Sequence, residues 1–400
     1  MRSGPSGTPG EVLRAFLRLG VTSFGGPIAH LGFFRDELVA RRRWVTDDDY
    51  AELVTVSQFL PGPASSQVGF GMGLVRAGTL GALAAWVAFT LPSAILMVAF
   101  AYAGPLLDTL TGSGILAGLK VVAVAVVAQA VWGMARTLTP DARRAGIAVA
   151  AAVGVLLFAG SLGQVVAILL GALAGLALCR TGPAVAAHRL VFPVTRAAGI
   201  VCLAVFGLLL VTLPIAAALS DSLAVEVADR FYRAGALVFG GGHVVLPLLQ
   251  AEVVTGGWVS PEQFLAGYAA AQALPGPLFT FAAYLGALAA PGALGLLTAA
   301  IALIAVFLPG LLLLVGVLPF WNRFSAAPSA QAAIRGANAA VVGILAAALY
   351  DPVFVTAVVG PATFALALIC FVLLVAWRVP PWAVVLVGAA GGLVIALAQA

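Results

Sequence analysis

Six long stretches of the sequence contain no charged residue; they span 77–107, 145–179, 197–220, 263–322, 352–377 and 379–400. Each stretch reaches or exceeds the roughly 20 apolar residues that a helix needs to cross a bilayer. Only 9% of the residues are charged and 62% are hydrophobic, whereas soluble domains carry about 25% charged residues. These stretches predict an all-α polytopic membrane protein that works in a lipid bilayer.

The charged residues and the cysteines argue against several other classes of protein. The net charge is +5, but the arginines form no basic stripe with interleaved aromatic residues, so we expect no nucleic-acid partner. Arginines spread in this way are typical of cytoplasmic loops. Cys179, Cys202 and Cys370 lie far apart, in or beside apolar runs, and the histidines are not clustered. We therefore expect no disulfide, no metal site and no cofactor.

One motif occurs twice, as SQFLPGPASSQ at 57–67 and as AQALPGPLFTF at 271–281, with an offset of 214 residues. The shared residues are Gln58, Leu60, Pro61, Gly62 and Pro63 in the first copy and Gln272, Leu274, Pro275, Gly276 and Pro277 in the second. Proline ends a helix at the preceding residue and suits the first position of a new helix. Each copy therefore predicts a helix, a break, and a second helix that begins at Pro63 or Pro277. In apolar surroundings such a break has to line a cavity or be covered by protein.

A second motif is also duplicated, because FLRLGVTSFGGP at 16–27 matches FYRAGALVFGGG at 231–242 with an offset of 215 residues. Trp44 matches Trp258 farther along the chain. A repeat this long indicates duplication. The predicted organisation is a disordered tail (1–10), a first repeat (11–137), connecting transmembrane helices and basic loops (138–225), a second repeat (226–350) and C-terminal transmembrane helices (351–400).

The charges around two corresponding spans suggest that the repeats are inverted. Arg76 precedes the predicted span 78–104 and Asp108 follows it, whereas Arg323 follows the matching span 292–318. Basic residues stay on the cytoplasmic side, so the two spans are expected to run in opposite directions. An odd number of crossings between them is consistent with inversion, and five are predicted, at 78–104, 115–134, 146–159, 163–179 and 197–217.

Two polar segments of the first repeat have local signals of their own. The segment 11–20 is amphipathic, with Arg14 and Arg18 on one face, and predicts a helix that lies at the membrane interface. Thr46 is expected to cap a helix that begins at Asp47. Acidic residues in the first turn of that helix are favoured by its dipole.

Inverted repeats with helices broken at matched positions are typical of secondary transporters, whose binding site lies near the bilayer midplane. The N-terminus of a half-helix attracts anions through its free N–H groups and partial positive charge. Ser65 and Ser66 fall in the first turn after the first break, and Thr280 matches Ser66 after the second. Their hydroxyls are candidate ligands of an oxyanion; the alternative is helix capping or hydrogen bonding between helices.

The glycines of the FGG motifs are further candidates for the binding site. Gly25, Gly26, Gly241 and Gly242 allow close approach to the backbone, although tight helix packing is an alternative explanation. His243 is a candidate proton carrier or a hydrogen-bonded structural residue. The coupling or gating candidates are His243, Gln58, Gln272, Arg18 and Arg233. His30 and His188 stand in no comparable motif, and the sequence assigns them no role.

Lys120 is the only lysine of the chain, and it lies within an apolar predicted span. A cation inside a membrane span is costly, which makes it a functional candidate; the alternative is a lysine that extends toward the interface near a helix end. When Gly118 is aligned with Gly336, Lys120 falls on Asn338, which would be the polar group of the second repeat. The arginines of the first and second repeat, Arg18 and Arg233, are either further anion-attracting cations or interfacial anchors.

With FGGP, a tryptophan before an acidic helix start and QxLPGP in its first half, and FGGGHVVLP and QALPGP in its second, the chain resembles the chromate ion transporter family in its long two-domain form. The resemblance covers 11–137 and 226–350. It implies export of chromate across a bacterial inner membrane, driven by the proton motive force, with protons as coupling ions and sulfate as a competing anion. One departure is Pro27, which stands where the second motif has Gly242 and leaves Ile28 opposite His243.

The residues alone predict only a secondary transporter that favours anions. We expect alternating access, with the two breaks facing each other while the half-helix N-termini and Lys120 hold the anion. A sulfate uptake system or a channel shares most of these features. An intramembrane enzyme is the remote alternative, because the sequence has no H-E-x-x-H, no G-x-S-x-G and no pair of aspartates deep in apolar spans. The sequence leaves the oligomeric state open, with a homodimer as one arrangement.

Overall fold

The computed structural model describes residues 7–103, 109–158, 160–180, 192–325 and 327–399, and they are helical with no strand. The helices of the first half are α1 (Pro9–Thr22), α2 (Gly26–Phe34, continued by the π-helix Arg35–Arg41), α3 (Asp47–Phe59), α4 (Ala64–Tyr102), α5 (Leu110–Leu138), α6 (Ala142–Leu157), α7 (Ser161–Leu178) and α8 (Arg196–Leu219). Asp108, His188 and residues 1–6 of the predicted tail lie outside the described residues.

The second half begins with α9 (Leu223–Ala236), α10 (Val245–Val253, after the 3-10 turn Gly242–Val244), α11 (Pro261–Ala273), α12 (Phe281–Leu288, after the 3-10 turn Leu278–Thr280) and α13 (Gly292–Val317). It ends with α14 (Trp321–Ser325), α15 (Pro328–Ala348, continued by the π-helix Leu349–Phe354), α16 (Val355–Ala357), α17 (Pro361–Val375) and α18 (Pro381–Gln399). Among the described residues, seven helices are long and apolar enough to cross a membrane. The prediction of an all-α polytopic membrane protein is confirmed.

Both predicted breaks exist, but they are turns between antiparallel helices. α3 ends at Phe59, α4 begins at Ala64, and a Cβ atom on Gly71 would lie 2.7 Å from Leu53 Cδ1. Leu53 and Gly71 stand at similar distances before and after the LPGP motif, so the chain turns back at that motif. In the second repeat, the Tyr284 hydroxyl donates a 2.9 Å hydrogen bond to the Gln263 carbonyl oxygen. The predicted order of helix, break and second helix is present at both motifs: α4 begins at Ala64 with Pro63 as its N-cap, and the 3-10 turn Leu278–Thr280 precedes α12.

α4 contains a second reversal at Ala77 and Gly78, where the backbone leaves helical geometry and Gly78 has a φ of 66°. A Cβ atom on Gly73 would overlap the carbonyl oxygen of Gly81, eight positions farther along the chain. We call 64–76 the short arm of α4 and 79–102 its long arm. At about 1.5 Å per residue, the short arm is too short to cross a bilayer, whereas the long arm is long enough.

The helices around each FGG motif form another antiparallel pair. In the first repeat, Trp44 Nε1 donates a 3.1 Å hydrogen bond to Glu11 Oε1, which joins the far ends of α1 and the α2 region. In the second repeat, Arg233 on α9 forms a 3.2 Å ion pair with Glu252 on α10. Each repeat therefore starts with two helical hairpins whose tips are its FGG and LPGP motifs.

Local predictions in the first repeat are matched closely. α1 begins at Pro9, two residues before the predicted start, with Thr8 as its N-cap. As predicted, Thr46 caps α3, where its side chain accepts from the Asp49 amide; Asp49 in turn completes a capping box. Arg14 and Arg18 are exposed on α1, and the opposite face of α1 packs against the long arm of α4.

Candidate functional site

The two repeats are joined by a reciprocal pair of backbone hydrogen bonds. We call 60–63 and 274–277 the first and second LPGP tips, and 23–26 and 238–242 the first and second FGG loops. The Gly62 amide donates to the Val238 carbonyl oxygen at 2.7 Å, and the Gly276 amide donates to the Ser23 carbonyl oxygen at 3.0 Å. Each LPGP tip therefore contacts the FGG loop of the other repeat.

The FGG loops also meet each other. A Cβ atom on Gly242 would lie 3.2 Å from Pro27 Cγ, and these residues occupy equivalent positions in the two repeats. The two FGG motifs therefore touch at equivalent positions of the two repeats. The expectation that the LPGP breaks face each other needs correction. Each LPGP tip instead packs against the FGG loop of the other repeat and against the long helix that follows the hairpins of that repeat, which is α13 for the first tip and the long arm of α4 for the second.

These two long helices contact the tips through matched residues, each of which directly follows the internal proline of its helix. A Cβ atom on Gly62 would lie 2.9 Å from Gly310 Cα on α13, and one on Gly276 would lie 2.8 Å from Ser93 Oγ on the long arm of α4. Gly62 and Gly276 have φ values of 120° and 99°, a region that favours glycine. Both close packing and backbone conformation therefore require glycine at the tips.

The short arm of α4 begins with three buried polar residues, Ser65, Ser66 and Gln67. Gln67 Nε2 donates to the carbonyl oxygens of Pro61, at 3.0 Å, and Gly310, at 2.9 Å. This side chain fixes the first tip and ties it to the second repeat. No sequence pattern indicated a role for Gln67, because Phe281 stands at its position in the second copy of the motif.

His30 is a second residue that the sequence analysis missed. It lies on α2 with 1% of its surface exposed, and its Nδ1 lies 3.3 Å from Ser65 Oγ. Its ring packs edge-on against Phe89, with centroids 5.3 Å apart, and reaches the backbone of Ser23. No sequence signal could reveal this contact, because His30 and Ser65 are 35 positions apart and belong to different motifs.

Several buried polar atoms around the first tip have no hydrogen-bond partner; they are Ser23 Oγ, His30 Nε2, Ser57 Oγ, Ser66 Oγ, Gln67 Oε1 and Thr90 Oγ1. Each unpartnered group costs about 1–3 kcal/mol, and such groups in a native protein call for a functional explanation. The equivalent residues of the second repeat are Val238, Val245, Ala271, Thr280, Phe281 and Phe307. Thr280 donates to the Pro277 carbonyl oxygen at 2.9 Å, so its hydroxyl has a partner. Gln272 Nε2 and Asn338 Oδ1 of the second repeat also lack a partner, but five of the six positions equivalent to the first-repeat cluster are apolar.

The second repeat holds a different polar contact near its own tip. His243 Nδ1 lies 2.8 Å from the Tyr268 hydroxyl, and Tyr268 also interacts with the side chain of Gln272. Gln272 is buried, whereas its counterpart Gln58 is exposed. The structure therefore brings His243 and Gln272 together and leaves Gln58 outside.

The predicted partners Lys120 and Asn338 have different surroundings. Asn338 Oδ1 is buried without a hydrogen-bond partner and faces the second FGG loop, where a Cβ atom on Gly240 would lie 3.6 Å away. Lys120 is half-buried on α5. Hydrogen bonds from its own backbone amide and from Ser260 hold the pKa of the Glu262 carboxyl below its usual value, and the charge of Lys120 lowers it further. Lys120 thus acts on the start of α11, at the end opposite the second LPGP tip.

The matched arginines also differ. Arg18 is exposed on α1. Arg233 forms ion pairs with Asp229, at 2.8 Å, and Glu252, at 3.2 Å. Both acidic side chains are buried, so Arg233 compensates two carboxylates within its own hairpin.

The sequence matches the chromate transporter family model over residues 10–176 and 225–393. The chain belongs to this family. Each matched region contains one predicted repeat, with its FGG loop and LPGP tip, and extends beyond it to residue 176 or 393. No solved structure matches this chain.

Three curated relatives of this family member are named as chromate transport proteins. The probable chromate transport protein of Synechococcus elongatus is 29% identical over 343 residues, 85% of this chain and 83% of the relative. That of Cupriavidus metallidurans is 28% identical over 360 residues, 87% and 84% of the two chains. That of Pseudomonas aeruginosa is 29% identical over 401 residues, 95% and 90%. Similarity that covers most of both chains indicates a shared architecture.

Proposed function

We propose that this protein is a secondary transporter that exports chromate across the bacterial inner membrane. The observation that carries the proposal is the interlocked pair of repeats, in which each LPGP tip is bonded to the FGG loop of the other repeat beside buried polar atoms. Transporters built from repeats bind substrate at the repeat interface. Family membership and the names of the three relatives support chromate as the substrate.

The distribution of charge supports an inverted arrangement of the repeats. We call the end of the hairpins opposite their FGG and LPGP tips the open end. The open end of the first-repeat hairpins carries arginines, with Arg42 and Arg76 over the Trp44 ring. The open end of the second-repeat hairpins has fewer arginines, and Arg230 there pairs with Glu226. Basic residues favour the cytoplasmic side, so the first open end would be cytoplasmic and the second periplasmic.

The membrane potential can supply the driving force for export of a dianion. Moving one charge across 100 mV is worth about 2.3 kcal/mol, so two negative charges leaving a negative interior gain roughly 4.6 kcal/mol. Protons as coupling ions belong to this proposal, as does alternating access in which one set of hairpins moves against the other. Sulfate, another tetrahedral dianion, is expected to compete.

Radiolabelled chromate flux into inverted membrane vesicles tests the proposal. Vesicles that contain the protein should accumulate chromate faster than vesicles without it, and collapse of the membrane potential and of the pH gradient separately should identify the driving component. Lys120→Ala and Ser66→Ala variants, inserted at normal abundance, should be slower. Equal flux with and without the protein would contradict chromate export.

Sulfate uptake or a channel is the second candidate, because both tetrahedral anions present the same charge and shape to the donors of the first tip. Direction of flux distinguishes them, since cells that express an exporter accumulate less chromate, whereas cells that express an uptake system accumulate more sulfate. An intramembrane enzyme has less support, because the relatives are named as transport proteins. Turnover of a lipid or a peptide by the purified protein would revive that alternative.

A further inference from the structure

The polar cluster of the first tip points to one anion site per chain. We propose that the oxyanion binds at the N-terminus of the short arm of α4, an inference that rests on the proposed function. His30 Nε2 and Ser66 Oγ donate hydrogen bonds to the oxygens of the anion, and Ser65 positions the His30 ring. The second repeat covers this site and contributes no equivalent of it.

The N-terminus of the short arm has open donors. The first hydrogen bond of this helix runs from the Gln67 amide to the Pro63 carbonyl oxygen at 2.9 Å, so the amides of 64–66 precede the hydrogen-bonded turns. Such amides and the helix dipole favour an anion. Ser66 Oγ, in this first turn, and His30 Nε2, on the ring that contacts Ser65, have no hydrogen-bond partner. The two residues are 2% and 1% exposed. The site therefore combines a helix terminus with independently oriented side chains.

Ser65 determines which nitrogen of His30 faces the anion. Its hydroxyl lies 3.3 Å from Nδ1, and a hydroxyl that donates to Nδ1 leaves the ring hydrogen on Nε2. Nε2 is the buried nitrogen without a hydrogen-bond partner, and because the ring also reaches the Ser23 backbone, an oxyanion would compete with that backbone for the Nε2 hydrogen. Ser65 is thus a positioning residue, and His30 and Ser66 are ligands.

The same site is absent from the second repeat. Val245 occupies the position of His30, and Phe279 and Phe281 occupy those of Ser65 and Gln67. Thr280, at the position of Ser66, already donates within its own turn. Apolar groups cannot replace the hydration of an oxyanion, so the duplicated scaffold carries a single site.

The position of His30 also links the site to the contact between the repeats. Its neighbour Phe89 has its carbonyl oxygen beside the second LPGP tip, where a Cβ atom on Gly276 would lie 3.2 Å away. The Ser23 carbonyl oxygen accepts from Gly276. Anion binding at His30 therefore acts directly on the residues that hold the second tip.

Two substitutions of His30 separate the role of each ring nitrogen. The amide nitrogen of glutamine can replace Nε2, and that of asparagine can replace Nδ1. His30→Gln should keep the KM for chromate flux within about threefold, whereas His30→Asn should raise it by about 10- to 100-fold, because a hydrogen bond to a charged group is lost. A purely structural role through Ser65 predicts the opposite order and would overturn the proposal.

Matched variants of the two repeats test whether the site is single. Ser66→Ala should raise the KM for chromate to a similar extent with less than a threefold change in Vmax, whereas Thr280→Ala, whose hydroxyl is bonded within its own turn, should leave the KM unchanged. An equal effect of Ser66→Ala and Thr280→Ala would show two equivalent sites and contradict the proposal. Variant abundance in the vesicles is measured by immunoblot.

A binding measurement keeps this inference separate from the proposed function. Chromate, sulfate and molybdate are each added to the purified protein in detergent, and the Tm is recorded. An anion should raise the Tm of the unmodified protein and of His30→Gln, but not that of Ser66→Ala. Stabilisation by an anion without chromate flux would refute chromate export and retain the anion site. Chromate flux that does not depend on His30 or Ser66 would retain chromate export and refute the anion site.

Discussion

The Gly62 amide donates a 2.7 Å hydrogen bond to the Val238 carbonyl oxygen, and the equivalent bond from Gly276 to Ser23 measures 3.0 Å. These two bonds place each LPGP tip in the other repeat, so neither repeat can complete its own packing. If one repeat moves against the other during transport, as proposed, we expect the tip bonded to it to move as well.

Gly62→Ala and Gly276→Ala should lower the Tm and reduce chromate flux. Both positions have positive φ and close neighbours, and an L-residue in this conformation alone costs about 1–2 kcal/mol. Gly62→Ala is expected to be more severe, since its neighbour is the Gly310 backbone, whereas Gly276 faces a serine hydroxyl. Gly257→Ala is the control, because Gly257 has a φ of 74° and open space; an equal loss there would show that strain alone is responsible.

Gln67→Leu should destabilise the protein by about 1–3 kcal/mol, because the Pro61 and Gly310 carbonyl oxygens lose their shared donor. Flux per inserted molecule should also fall, since the first tip is no longer fixed. Gln164→Leu serves as the control: Gln164 is buried and donates to the Pro247 carbonyl oxygen at 3.0 Å, away from the tips. It should reduce the Tm and preserve flux, and similar flux in the two variants would argue against a role for Gln67 in transport.

Arg233→Ala should be strongly destabilising, by about 3–5 kcal/mol, because the buried carboxylates of Asp229 and Glu252 lose their counter-charge. Arg18→Ala, at the equivalent exposed position, should change stability by no more than about 0.5 kcal/mol. Thermal unfolding in detergent checks both values. If Arg18→Ala is stable but abolishes chromate flux, Arg18 attracts the anion as first predicted. Arg18 would then serve transport, whereas Arg233 serves stability.

Trp321→Phe and Glu52→Gln should be coupled, because the indole Nε1 donates a buried hydrogen bond to Glu52 Oε1 across the repeats. A double-mutant cycle of unfolding free energies is expected to give an interaction of about 1–3 kcal/mol. Phe59 and Phe324, whose rings pack 5.6 Å apart nearby, provide a comparison cycle without charge. Additive effects of Trp321 and Glu52 would indicate that this contact does not join the repeats.

Opposite accessibility of Asp48 and Glu262 should reveal the inverted topology. Both residues are exposed in the first turn of α3 or α11 and occupy equivalent positions. In a background with Cys179, Cys202 and Cys370 replaced by alanine, Asp48→Cys should react with a membrane-impermeant maleimide only from the cytoplasmic side, and Glu262→Cys only from the periplasmic side. Labelling of both from one side would contradict inversion.

The sequence by itself determined the membrane class, the duplication, and the places where helices stop. Each depends on local properties: apolar stretches have too little polar surface for water, proline lacks an amide donor, and Thr46 caps the helix that starts one residue later. A sequence comparison within the chain was sufficient to match Gly62 with Gly276 and Ser23 with Val238.

Only the tertiary structure decided that the chain reverses at each LPGP motif and which groups meet there. An apolar helix has the same composition whether it crosses the membrane or returns, so contacts such as Leu53 with Gly71 settle the reversal. His30 gained a role because folding brings it to Ser65 from 35 positions away. The polar cluster could not be predicted either. Its atoms come from several helices and a loop of the first repeat, and no single sequence motif contains residues from all of them.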